Sequence, residues 1–164
     1  MAKIITLQQP FAWGVVHGHK PVENRGWETD YRGPIWIHAG KNKSAFTGTD
    51  PEDWYDESDG TPFLPGCPEW KDLDLGKIIG MVDLVDCVTD DEAIQRIGEN
   101  PHIGGPWCFL FANPCVLKEP IPWSGQLGIC TIDLEPKDDM FLPPEVKKGK
   151  GAKKAKGTPK KPKK

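Results

Sequence analysis

Residues 18–34, Gly18-His19-Lys20-Pro21-Val22-Glu23-Asn24-Arg25-Gly26-Trp27-Glu28-Thr29-Asp30-Tyr31-Arg32-Gly33-Pro34, bring together an ammonium, carboxylates, a carboxamide, guanidinium groups and aromatic rings. That inventory suits the reading of a nucleic-acid base: donors and acceptors for its edge, a flat surface for its π-face and a cation for its phosphate. Side chains on a regular strand alternate between faces, which puts Glu23, Arg25 and Trp27 on one side and Val22 and Asn24 on the other. In this reading Trp27 stacks, Glu23 and Asn24 meet the base edge, and Lys20, Arg25 and Arg32 meet phosphate or carbonyl oxygens. Gln9, at a strand-to-helix turn, and His38, at a strand end, join them. The alternative is structural: Glu23 and Arg25 form an ion pair, Trp27 belongs to the core, and His38 is a satisfied core or rim residue.

Lys20 and Glu23 also admit hydrolysis, with Lys20 stabilising developing negative charge and Glu23 acting as general base toward water. That requires the two groups to converge. A spacing of three on an ideal strand points them apart, and only a bulge or loop at Pro21 brings them together. Metal chemistry has a weaker basis, because His17-Gly18-His19 lacks a third ligand and the single cysteines at 67, 87, 108, 115 and 130 form no C-x-x-C pair. No metal or other cofactor is expected. The cysteines read as reduced and mostly buried, with Cys67 in the Pro65-Gly66-Cys67-Pro68 loop the most exposed.

The elements that must position these groups follow from local pattern. Ile4 to Leu7 reads as a strand, and Pro10 to Gly18 as a short helix with Pro in its first turn and Gly beyond its end. Val22 to Asn24 and Pro34 to Ala39 are β-rich runs separated by the turn signal Tyr31-Arg32-Gly33-Pro34. Lys77 to Val88 reads as a central strand bent at Gly80. Thr89-Asp90-Asp91-Glu92 is a capping box that starts a helix ending at Gly98. Strands follow at Trp107 to Phe111, continuing at Cys115 to Leu117, and at Leu127 to Leu134. Several strands with two or three short helices and no strict β-α-β alternation predict an α+β fold, a small mixed barrel or curled sheet.

Charge divides the chain. Residues 147–164 hold ten lysines and no acid, so the remaining 11 basic and 24 acidic residues give the rest a formal charge of −13. The expected organisation is one domain over 1–136 with an acidic insertion at 40–76, followed by a linker and disordered Lys-rich tail over 137–164. A disordered polycation attracts polyanions by counterion release, and single-stranded nucleic acid is the expected partner. The −13 body repels phosphate broadly, so a specific site has to be a local pocket. The insertion carries nine acids against three bases together with Trp54, Tyr55 and Trp70, which suits a flap over that pocket or a surface for a protein partner. No run of about 18 apolar residues is present, so no membrane contact is expected and the location is expected to be cytoplasmic, or nuclear if the source is eukaryotic; the chain is expected to be a monomer.

Three segments carry a family resemblance. Thr6-Leu7-Gln8-Gln9-Pro10-Phe11-Ala12-Trp13, Gly18 to Trp27, and Tyr31-Arg32-Gly33-Pro34-Ile35-Trp36-Ile37-His38-Ala39 resemble the ASCH domain of the PUA-like superfamily. Lys77 to Val88, Pro106 to Phe111 and Gly125-Gln126-Leu127-Gly128 extend the likeness over nearly all of 3–134. The resemblance implies a PUA-like β-barrel that binds RNA or nucleotide through a cleft lined by the lysine-glutamate-arginine segment. One bacterial branch hydrolyses the acetyl amide of N4-acetylcytidine with a lysine, a threonine nucleophile three residues later and a distant glutamate, and another member cleaves RNA. Lys20 matches that lysine and Arg25 an arginine five residues on, but Glu23 stands where the threonine would be. A carboxylate attacking an amide would give an unstable anhydride, which argues against the same chemistry here. Asp83, Asp86 and Glu92 are the candidates for the distant acid.

Overall fold

In a computed structural model, which describes residues 1–43 and 48–144, the chain forms one six-stranded mixed sheet with two short α-helices. The Lys-rich tail lies outside the described residues. The strands are β1 (Ala2–Gln9), β2 (Val22–Arg25), β3 (Gly33–Lys43), β4 (Lys77–Thr89), β5 (Trp107–Pro122) and β6 (Ile129–Ile132), and the helices are α1 (Phe11–Val16) and α2 (Asp90–Ile97). Their order across the sheet is β2-β5-β4-β3-β1-β6. Among these strands β1 and β3 pair in parallel, and the other neighbours run antiparallel.

The predicted barrel is not closed. β2 and β6 stand at opposite edges of the sheet, and no pairing joins them among the described residues. Closure is a non-local property of register and tilt, which no local run of residues specifies. The mixed, non-alternating strand arrangement does match the expectation.

Alternation along β1 and β3 builds two cores on the two faces. Ile5, Leu7, Ile35 and Ile37 pack with Ala12, Val15 and Val16 of α1, while Ile4 and Trp36 pack with Ile78, Met81 and Leu117 on the other side. Gly80 allows α1 and β5 to approach β4 closely, since a Cβ there would lie 2.9 Å from Val16 Cβ and collide with the carbonyl oxygen of Cys115. β4 is irregular at this point, as the Gly80 bend anticipates. The two strand segments expected after Pro106 are a single β5, in which Asn113 takes φ 51°. Packing also continues past residue 136: Phe141 stacks on Trp36 at 5.7 Å and bridges to Leu117, so the segment read as linker from 137 is docked on the sheet as far as Phe141.

The acidic insertion contains two short 3-10 turns, Pro51–Asp53 and Trp70–Asp72. Asp50 precedes the first turn without capping it; its carboxylate accepts from the Trp70 backbone N–H 20 residues away and so ties the two turns together. Leu64, Cys67 and Leu73 make a small core of their own, with Trp13, Phe63 and Trp70 packed against it. Cys67 is therefore buried, not exposed, and burial pushes its thiol up to about 12. Cys115 is the exposed cysteine. Among the described residues no helix is long and apolar enough to cross a membrane.

Candidate functional site

The insertion closes one side of a cleft of about 750 Å³. Its floor comes from the start of β2, where Lys20, Glu23 and Asn24 line the cavity. Because β2 begins only at Val22, Lys20 precedes the strand, and alternation does not govern its direction. Lys20 Nζ consequently lies 3.5 Å from Glu23 Oε2, the convergence that an ideal strand would forbid. The start of the strand after Pro21 does what the sequence required.

Lys20 is 4% exposed, and its ammonium donates to the Val22 carbonyl and lies 5.6 Å from the Phe11 ring centre. Burial lowers its pKa, and the nearby Glu23 carboxylate opposes that shift. Glu23 Oε2 is buried and accepts no hydrogen bond, and the buried Arg25 Nε donates none. The Glu23 side chain keeps 16% of its surface accessible, so its carboxylate can accept an N–H from a bound molecule. Arg25 Nε lies 4.0 Å from Glu23 Oε1, while its terminal nitrogen Nη2 donates to the Thr6 carbonyl at 2.7 Å.

Asn24 shapes the opposite wall. Its amide nitrogen donates to the His102 carbonyl at 2.8 Å, and its amide oxygen accepts from the Gly104 and Gly105 backbone N–H groups at 2.8 and 3.1 Å. These bonds fix the loop that places Pro101 and His102 in the cleft. His102 Nε2 donates to the Phe63 carbonyl at 3.0 Å, linking this loop to the insertion, and burial lowers the His102 pKa. Phe11, Trp54, Tyr55 and Phe63 supply aromatic walls, and Asp53 and Glu57 add carboxylates.

The remaining predicted site residues lie elsewhere. Trp27 follows the end of β2 at Arg25, so strand alternation stops before it, and its ring packs edge-on against Phe109 at 5.2 Å. Arg32 pairs with Asp86 at 3.0 Å. His38 is 1% exposed, with Nδ1 3.0 Å from Thr6 Oγ1 and Nε2 2.9 Å from the Trp123 carbonyl. Gln9 accepts from the Trp13 N–H at the start of α1 and donates to the Asp74 carbonyl; it borders a separate groove of about 270 Å³. None of the three acids proposed as the distant partner lines the cleft: Asp83 accepts from Asn113, Asp86 pairs with Arg32 and Arg96, and Glu92 completes the capping box. His17 and His19 stack on Trp13 at 4.4 and 5.4 Å.

The aromatic walls were present in the sequence only as Phe11, Trp54, Tyr55 and Phe63 within apolar and acidic stretches. Their convergence, with His102 from a segment 78 residues beyond Asn24, depends on tertiary packing.

Known proteins share parts of this chain. Human and mouse proteins named Activating signal cointegrator 1 are 27% and 28% identical to it over 136 and 132 residues, in each case 79% of this chain and 22% of the relative. The chain therefore spans about a fifth of the length of these curated relatives. The crystal structure of ASCH from Zymomonas mobilis covers 80% of this chain and 87% of its own at 17% identity and a TM-score of 0.47. A point mutant of that Zymomonas mobilis protein covers 80% of this chain and 89% of its own, at 16% identity and a TM-score of 0.47. The ASCH domain profile matches residues 5–124, most of the chain and every element that forms the cleft floor, and the chain belongs to the ASCH domain family.

Proposed function

We propose that the chain is an RNA-binding ASCH module whose cleft takes one unstacked base of a single strand, while the Lys-rich tail adds affinity without sequence preference. One observation carries the reading: a buried Lys20 and Glu23 pair, 3.5 Å apart, sits at the bottom of a cleft of about 750 Å³ walled by Phe11, Trp54, Tyr55 and Phe63. Aromatic faces suit the base plane, and the ion pair suits its edge. Relative to the first expectation, stacking passes from Trp27 to Trp54 and Phe63, and Asn24 becomes the residue that holds the His102 loop.

Binding of single-stranded RNA oligomers at fixed salt, followed by fluorescence anisotropy, tests this. Trp54→Ala is expected to weaken binding by about 1–3 kcal/mol, the usual worth of one stacked base. Trp27→Ala is expected to change affinity little once folding is verified. Equal affinity of the wild type and Trp54→Ala would remove the cleft from the binding reaction.

The convergence of Lys20 and Glu23 also favours a second reading, hydrolysis of RNA or a modified nucleoside. Glu23 would take a proton from water as the resulting hydroxide attacks, and Lys20 would stabilise the oxyanion. Turnover of N4-acetylcytidine or RNA by the wild type and not by Lys20→Ala supports it; equal background rates end it. The protein-partner reading of the insertion has less support, because Trp54 meets Phe11 and Trp70 at 6.1 Å each, which suits a cleft wall better than a docking surface.

A further inference from the structure

The cleft described above is acidic, and the cation that lines it is already engaged. Among the described residues its lining contains a single ammonium, Lys20, against three carboxylates, Glu23, Asp53 and Glu57. Lys20 donates one of its three N–H groups to the Val22 carbonyl and is held by Glu23 in an ion pair of 3.5 Å. The guanidinium groups nearest in sequence do not enter: Arg25 is turned onto the Thr6 carbonyl, and Arg32 is held by Asp86. A phosphate inside this space would meet net negative charge in a partly desolvated setting, where repulsion is stronger than in bulk water. The polar floor has a complementary demand. Glu23 Oε2 is buried and accepts no hydrogen bond, with only the Lys20 ion pair at 3.5 Å beside it, and Lys20 keeps an N–H for a further acceptor.

Resting on the base-binding reading, we infer that the cleft selects an uncharged planar heterocycle presenting an N–H beside a C=O, and that it keeps phosphate outside. The N–H of such a lactam edge donates to the Glu23 carboxylate, whose side chain keeps 16% of its surface accessible, while the neighbouring carbonyl accepts from Lys20. A 6-oxopurine or a uracil has this edge; adenine and cytosine do not. The phosphate of a strand must then leave the cleft on the side away from Asp53 and Glu57, so nucleosides are bound better than their 5′-monophosphates.

Inosine, adenosine and inosine 5′-monophosphate are the probes, titrated against the full chain by calorimetry at low salt. Inosine and adenosine differ at the edge in question, and the monophosphate adds only charge. Inosine is expected to bind roughly tenfold more tightly than adenosine, the size of one good charge-assisted hydrogen bond. It is expected to exceed the monophosphate by about fivefold or more, a gap that roughly 0.5 M salt narrows. Replacing both exposed acids, Asp53→Asn with Glu57→Gln, is expected to narrow the gap between inosine and its monophosphate by raising monophosphate affinity. Monophosphate binding as tight as that of inosine, or adenosine binding as tight as inosine, overturns the inference while leaving base binding intact. If none of the three binds, the base-binding reading falls with it.

Discussion

Burial of Lys20 beside Glu23 makes each of them the other's solvation, so removing either is costly. Lys20 is 4% exposed and Glu23 keeps 16% of its side chain accessible. Breaking a buried pair by deleting one partner costs about 3–5 kcal/mol in the buried limit, and Glu23→Ala should fall toward the lower end because water reaches the site. Urea unfolding measures it; a loss under about 1 kcal/mol would show the ammonium to be solvated by other means. His38 gives a pH dependence of definite sign. Its Nε2 must carry the proton donated to the Trp123 carbonyl, which leaves Nδ1 to accept from the Thr6 hydroxyl, and burial holds its pKa below the ordinary 6.5. His102 is lowered likewise. The unfolded chain then binds more protons than the folded one, so this stability is present above about pH 6.5 and is lost as pH falls from there through the folded values. Each histidine contributes at most about 1.4 kcal/mol per pH unit. Thermal melts from about pH 7.5 to 5 should show a falling Tm, with His38→Asn showing a shallower dependence. A Tm independent of pH over that window would contradict the assigned protonation.

Two elements separate what local sequence specifies from what it leaves to packing. Thr89 accepts from the Glu92 N–H, and Glu92 accepts from the Thr89 N–H, the reciprocal pair that Thr89-Asp90-Asp91-Glu92 announces. That signal is complete within four residues, so the start of α2 is legible in the sequence. Thr89→Ala should cost about 1 kcal/mol, read as a shift in urea midpoint, since one orphan N–H loses its acceptor. β2 is the opposite case. Its length, Val22–Arg25, is set by pairing with Trp107 to Leu110 of β5, and nothing in Gly26-Trp27 reveals that alternation has ended. Strand periodicity consequently assigns Trp27 to the face of Glu23 and Arg25, and it packs on Phe109 instead. The same reasoning explains Arg32, whose partner Asp86 lies 54 residues away on β4. Gly80 shows a locally legible bend with a tertiary cause. Gly80→Ala should destabilise by about 3 kcal/mol or more, because the new methyl group would meet Val16 and a β5 carbonyl that cannot swing aside. A fully folded Gly80→Ala protein of unchanged midpoint would mean that α1 and β5 are loosely seated on β4.

The whole molecule combines a body of charge −13 with ten lysines at 147–164, and the cleft repeats the body's sign. A strand that placed one base among Glu23, Asp53 and Glu57 would gain little from electrostatics there, so its salt dependence has to come from elsewhere in the chain. The tail is the largest concentration of positive charge available. If about four to six lysines neutralise phosphates at once, log affinity should fall with log salt at a slope of about −3 to −4, from roughly 0.7 per phosphate on a single strand. Deleting 147–164 should flatten that slope toward zero and weaken binding to every oligomer alike, whereas Trp54→Ala in the full chain should leave the slope and lower the intercept. The two changes act on different terms and should be additive. Anisotropy titrations from about 50 to 300 mM salt on the four proteins of that cycle measure both. A steep slope that survives the deletion would place the phosphate contacts on the folded body, against its net charge, and would return Arg25 and Arg32 to the binding surface.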